Sequence, residues 1–154
     1  MRMIRFFAQG DPKGQPRPRA FAMRMGNGKY SARVFDAGTA EGWKSCVAIA
    51  AKQHQRDDGL EGPKVVLLDF VFARPKSHFR SIKGQLRLKN DAPEFYTAKP
   101  DVDNLAKAVL DCLTQIGGFW RDDSQIISLL IMKRYALDGD KSGCWIVIND
   151  DGMA

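Results

Sequence analysis

Lys99–Gln125 reads K-P-D-V-D-N-L-A-K-A-V-L-D-C-L-T-Q-I-G-G-F-W-R-D-D-S-Q, and the fold and the candidate chemistry both turn on it. From Asn104 to Ile116 the residues Leu105, Val109, Cys112 and Ile116 recur at helical spacing and make one apolar stripe. Gly117-Gly118 then stops the helix, and an acidic pair, Asp122-Asp123, precedes a further apolar run. Ahead of the helix, Asp101 and Asp103 stand two residues apart, so in extended chain their carboxylates share a face. Lys107 lies one turn inside the helix, where side chains lean back toward the N-terminus. Folding the Asp122-Asp123 end back beside the first pair would gather three or four carboxylates with one lysine. Such a cluster repels itself unless cations fill it.

Oxygen donors with no histidine or thiol nearby suit Mg²⁺, with Mn²⁺ as a substitute, rather than zinc. Magnesium held by carboxylates commonly serves phosphate chemistry. Each acidic pair also has a plain structural explanation. A D-x-D before a helix can be N-capping, and D-D after glycines can be a solvated turn. Asp111, four residues beyond Lys107, is read as its surface partner and is left outside the catalytic set.

Taken whole, K-P-D-V-D-N-L-A-K-A-V-L-D-C-L with D-D-S-Q beyond it resembles the RusA family of Holliday junction resolvases, common in bacterial prophages. G-Q-P-R-P-R at Gly14–Arg19 is similar to that family's early basic loop, and F-A-R-P-K-S-H at Phe72–His78 to its R-P-K segment. The resemblance implies that Asp101, Asp103 and Asp123 are metal ligands, with Asp122 in reserve, and that Lys107 is essential. It also implies a homodimer that cuts branched DNA, above all four-way junctions, leaving 5′-phosphate ends.

The 154 residues, 44% hydrophobic and 10% aromatic, suit one globular domain over residues 1–154. No apolar run reaches membrane-spanning length, and M-R-M-I-R-F-F lacks a signal-peptide pattern, so a cytoplasmic protein is expected. Cys46, Cys112 and Cys144 are scattered in apolar context and read as reduced core thiols. A formal charge of +6 and a pI of about 9.4 point weakly to a polyanionic partner.

Along the chain, Arg2–Ala8 reads as a first strand. The proline-rich loop at residues 10–19 either offers Arg17 and Arg19 to phosphate or is a plain polar surface loop. A hairpin is expected over Phe21–Phe35 about Gly26–Gly28, and a helix from an N-cap at Thr39 to Gln55, with Trp43, Val47, Ala50 and His54 on its stripe. His54 is expected at the boundary of that helix and Asp57-Asp58 in a solvated loop. Val65–Ala73 is the strongest strand and is expected to be central. Its Asp69 either faces a solvated side of the sheet, the preferred reading, or approaches the acidic cluster.

The segment 74–98 shows no clear periodicity and is rich in cations. Arg74, Lys76, Arg80 and Lys83 are its candidate DNA contacts, with Phe79, Phe95 and Tyr96 placed either to stack on unpaired bases or to pack on the core. Ile126–Tyr135 and Cys144–Ile148 read as strands joined by a hairpin turn at Asp138–Gly143, with a frayed tail from Asn149. A mixed sheet with helices packed against it, α+β in class, is the expected architecture. Two matched nicks in a two-fold junction make an isologous dimer with two sites the economical arrangement. A non-catalytic DNA binder and a nuclease for flaps or forks are the competing functions. A PD-(D/E)xK nuclease fits poorly, since no acid-x-lysine strand follows Pro100-Asp101.

Overall fold

The structure is a computed structural model that describes residues 2–16, 19–24, 26–35 and 40–150. Among the described residues eight strands and two α-helices follow one another as β1 (Met3–Gln9), β2 (Arg19–Arg24), β3 (Tyr30–Phe35), α1 (Glu41–Ala51), β4 (Lys64–Phe72), β5 (Phe79–Ile82), β6 (Gln85–Leu88), α2 (Val102–Ile116), β7 (Ile126–Tyr135) and β8 (Gly143–Asn149). Four of the strands form one mixed sheet in the order β1-β8-β4-β7, and β2-β3 and β5-β6 are separate hairpins. The expected α+β class, a mixed sheet with helices packed against it, is what the chain adopts.

Period-two patterning explains the sheet. In β4, Val66, Leu68, Phe70 and Phe72 are buried, while Val65, Leu67 and Asp69 between them are half-buried. Ile4, Phe6 and Ala8 of β1 and Cys144, Ile146 and Ile148 of β8 complete the same inner face. The helices close that face through one stripe each, Trp43, Val47 and Ala51 on α1 and Leu105, Val109 and Cys112 on α2. Each fully buried leucine, valine or phenylalanine in such a seam stabilises the fold by about 1.5–3 kcal/mol. His54, on the 3-10 turn after α1, stacks on Phe6 at 4.9 Å and lies at the boundary as expected.

Strand β7 pairs with β4 in parallel, Lys64 to Phe72 against Ile126 to Tyr135. Parallel neighbours need a crossover, and α2 supplies it, running back from the edge where β4 ends to the edge where β7 begins. Gly117 and Gly118 (φ 76° and 92°) turn the chain out of the helix, and a Cβ at Gly118 would come within 2.7 Å of the Gln55 Cβ.

Three expectations are corrected. Residues 138–143 are not a hairpin turn, because β8 lies between β1 and β4, antiparallel to both, and never pairs with β7. The alternately buried β8 needs two neighbours, whereas β7 is half-exposed along its length and stays at the edge. Residues 74–98 are not wholly irregular, since they hold the β5-β6 hairpin, with Lys83 (φ 50°) and Gly84 (φ 76°) at its tip as a primed two-residue turn requires. The tail is not frayed from Asn149, which pairs with both Met3 and Val65. The Thr39 cap lies outside the described residues, and Ala40 precedes α1 without a side-chain cap.

Asp150 is held because Lys64 is fully buried. The Lys64 ammonium donates to the carbonyls of Gly59 and Glu61 and to the Asp150 carboxylate at 2.8, 3.0 and 3.1 Å. Arg56 donates two further bonds to Asp150, at 2.9 and 3.0 Å. The hydrogen bond from Arg56 holds the Asp150 carboxyl below the usual carboxylate range. A depressed pKa means stability that is present above the unfolded value, near pH 4, and lost as the pH falls through the folded one. Asp150→Asn leaves a buried ammonium without its counter-ion, so urea titration at pH 7 should show a loss of about 3–5 kcal/mol. The variant's remaining stability should fall less steeply below about pH 4. A loss under about 1 kcal/mol would mean the network is dispensable.

Candidate active site

Asp101 occupies the N-cap position of α2, yet its side chain makes no capping hydrogen bond. Asp103 follows in the first turn, and both residues are exposed. The capping explanation for this pair therefore fails at Asp101, although the positive end of the helix dipole still favours two carboxylates there. Lys107, 60% exposed, pairs with Asp111 at 3.1 Å, as the spacing suggested. Such a surface pair contributes little, so the ammonium is easily drawn to another anion.

Strap residues below the helix fix where Asp101 stands. Three successive carbonyls, of Ala98, Lys99 and Pro100, accept hydrogen bonds from Lys133 Nζ (2.7 Å), the Tyr96 hydroxyl (2.8 Å) and Lys133 Nζ again (2.8 Å). Tyr96 is itself stacked on Phe72 with ring centroids 3.8 Å apart. On the other side Gln15 donates its backbone N–H to Asn104 at 2.8 Å. Neither Tyr96 nor Lys133 was singled out as a positioning residue from the sequence. Of the two places considered for Tyr96, stacking on bases or packing on the core, the structure shows the second. The available signal was Lys133 itself, directly after the mostly apolar run Ile126–Met132.

Asp122 and Asp123 divide the two roles considered for them. Asp122 caps the 3-10 turn Asp123–Gln125: its carboxylate accepts from the Ser124 N–H at 2.8 Å, and Gln125 closes a capping box on its backbone. The Ser124 hydrogen bonds hold the Asp122 carboxyl below the ordinary range. Asp123 is exposed, and its carboxylate makes no hydrogen bond or ion pair among the described residues. Of the two, Asp123 is the one with a carboxylate to spare.

The acidic ends do not meet within one chain. Asp101 lies at the edge of the sheet where β7 ends, tied there by Lys133, while Asp123 lies where β7 begins, on the side where Gln125 bonds the carbonyls of Leu60 and Gly62. The 15 residues of α2 separate those edges by about 22 Å. Accordingly, no three His, Cys, Asp or Glu side chains come close enough to hold a metal ion among the described residues. The carboxylates suit a hard divalent cation by chemistry, but one chain brings only Asp101 and Asp103 to one place.

Asp69 takes no part in the site. It faces the side of the sheet away from the helices and binds Arg134 at 3.1 Å, which also binds Asp140 at 2.8 Å. Burial pushes the Cys112 thiol up and the Cys144 thiol well above its ordinary value, so neither is a poised nucleophile. Among the proposed DNA contacts, Lys76, Arg80 and Lys83 are exposed and make no ion pair among the described residues. Arg74 is instead engaged internally, donating to the carbonyls of Ala136 and Pro93 at 2.8 and 2.7 Å. Arg19 opens β2, and Arg17 lies outside the described residues.

Two pairs of variants separate support from chemistry. Asp122→Ala should lower the thermal midpoint by a few degrees through loss of the cap, whereas Asp123→Asn should leave it unchanged. The reverse order would mean Asp123 is the structural member. Lys133→Met should leave the fold intact by circular dichroism but raise proteolytic nicking at residues 97–101, as three carbonyls lose two of their bonds. Unchanged protection there would show that the strap does not hold the site.

Comparison with known proteins bears on what such a site serves. Bacillus subtilis (strain 168) has a protein, YqaN, described as uncharacterized, that is 34% identical over 139 residues, covering 88% of this chain and 90% of YqaN. Residues 9–141 match the family described as Endodeoxyribonuclease RusA. That match takes in the basic loop, strands β4 and β7, α2 with Asp101 and Asp103 at its start, and Asp123, and the chain belongs to the RusA endodeoxyribonuclease family.

Proposed function

We propose that this protein is a Mg²⁺-dependent endodeoxyribonuclease that resolves four-way DNA junctions by paired symmetric nicks, leaving 5′-phosphates, and that its catalytic site is shared between two copies. The observation that carries the reading is the pair of carboxylates, Asp101 and Asp123, exposed at opposite ends of α2 and neither used to cap a helix or turn.

A second copy supplies what one chain lacks. Among the described residues nothing pairs with the outer edge of β7 over Ile126–Met132, because the segment around Phe95 covers only its last residues. Ile127, Leu130 and Met132 along it are 60, 53 and 41% exposed. An open edge rich in apolar side chains is a template for another strand. Two such edges pairing antiparallel about a two-fold axis set the beginning of one β7 beside the end of the other. Asp123 of each copy then approaches Asp101 and Asp103 of its companion, which gives two sites, one for each strand to be cut.

Those three carboxylates would hold Mg²⁺, or Mn²⁺ in its place. When bound, the ion supplies an acidified water and positive charge against the scissile phosphate. Lys107 opposes the charge that grows on the phosphate oxygens, leaving Asp111 to reach them. Exposed Lys76, Arg80 and Lys83 hold the flanking backbone.

Labelled four-way junction, flap and linear duplex, incubated with Mg²⁺ or with chelator, should yield paired nicks in the junction with metal alone. Asp101→Asn, Asp103→Asn and Lys107→Ala should each slow cleavage by about 10²–10³-fold while junction binding persists. Normal cleavage by Asp101→Asn, or equal cleavage of linear duplex, would overturn the reading. Ile127→Lys with Leu130→Lys, both on exposed positions, should give a folded monomer by sedimentation that binds DNA without cutting it. A monomer that still cuts would place the whole site in one chain.

A further inference from the structure

The β5-β6 hairpin has two unlike faces. Cross-strand partners project from the same side, so Phe79 with Leu88 and Ser81 with Leu86 make an apolar face, and Arg80 with Arg87 make a basic one. Little covers the hairpin among the described residues: of its strand residues only Phe79 is half-buried, while Leu86 is 76% and Leu88 43% exposed. Opposite the apolar face lies the connection from β7 to β8, residues 136–142, and between the two is a groove of about 780 Å³. Phe79, Leu86 and Leu88 line one wall and Leu137, 58% exposed, lies on the other. An isolated two-stranded hairpin is marginal in water, and one that shows leucines to solvent calls for an occupant.

We propose that this groove binds an unpaired DNA strand at the branch point, taking bases against Phe79, Leu86 and Leu88 and phosphates against Arg87, which also lines the groove although its strand position gives it to the basic face. The inference deepens the branched-DNA reading above and rests on it. Charge selects the occupant. From Phe70 to Asn90 there are six cations, Arg74 to Lys89, and no acid. That excess repels a second copy of the hairpin and favours a polyanion. The apolar wall then selects within polyanions. A duplex presents phosphates and sugars outward and keeps its bases stacked, whereas a single strand offers π-faces that an aromatic ring and flat aliphatic walls can sandwich. The volume falls within the 300–1,000 Å³ or so usual for ligand sites and admits more than one base. Of the two acids on the rim, Asp140 is committed to Arg134 and to the Leu137 N–H. Asp138 faces solvent at the lip, where a carboxylate can accept from an exocyclic base amine.

The test uses the full chain in chelator, where no strand is cut, with fluorescent fifteen-residue oligothymidylate and a duplex of the same length. Leu86→Ser with Leu88→Ser should weaken single-strand binding about tenfold and duplex binding less than about twofold, since stacking walls matter only to exposed bases. Ultraviolet cross-linking of the thymine strand to the unaltered protein should yield an adduct in the peptide carrying Phe79–Leu88. Equal losses on single strand and duplex, or cross-links confined to other peptides, would overturn the proposal. Binding is read without metal, so a failure of the nuclease reading leaves these outcomes untouched, and the groove can fail while junction cleavage persists.

Discussion

Parallel pairing of β4 with β7 is the constraint from which the rest of the molecule follows. Two parallel neighbours cannot be joined by a tight turn, so the chain must travel back across the sheet before the second strand begins. The buried seam of Leu105, Val109 and Cys112 makes α2 the carrier of that return. A straight helix of this length separates what lies at its two ends, and those ends are where the acidic pairs lie. The separation of Asp101 from Asp123 is thus a consequence of sheet topology and not an accident of loop placement.

Much of this was legible in the sequence. The stripe of α2, the glycine stop, the apolar run of β4 and the extent of β7 all follow from period and punctuation. What escaped reading is long-range. Whether β8 returns beside β7 or enters between β1 and β4 depends on which strand can bury both flanks, and Cys144, Ile146 and Ile148 answer that only once their neighbours are known. The β5-β6 hairpin was missed because four-residue strands that bury neither face leave hardly any alternation to detect; only Lys83-Gly84 marks it. The Asp150 anchor was hidden for a related reason, since the need for a carboxylate arises from a lysine at the head of β4 that local sequence gives no cause to bury.

The candidate site was legible as a set of residue types and not as a place. Asp101, Asp103, Lys107 and Asp123 could be named from spacing and resemblance, yet the expected gathering of acids on one chain does not occur among the described residues. Resemblance put Asp123 ahead of Asp122 without a physical reason. The Ser124 and Gln125 contacts supply one observation, since they engage Asp122 as a cap and leave the Asp123 carboxylate out of it. In physical terms, charge repulsion within one chain is avoided by distance, and the carboxylates meet only if a companion brings them together with a cation to offset the cost.

Sharing of the site between copies is the central claim, and subunit mixing tests it most directly. Asp101→Asn and Asp123→Asn proteins, each inactive alone, are unfolded, refolded together and assayed for nicking of a four-way junction with Mg²⁺. If Asp101 and Asp123 of one site come from different copies, half of the dimers carry one wild-type site, and nicking returns to about a quarter of the unaltered level. If both residues of a site come from the same chain, every site in every mixture carries one substitution, and a mixture as inactive as its components would contradict the account.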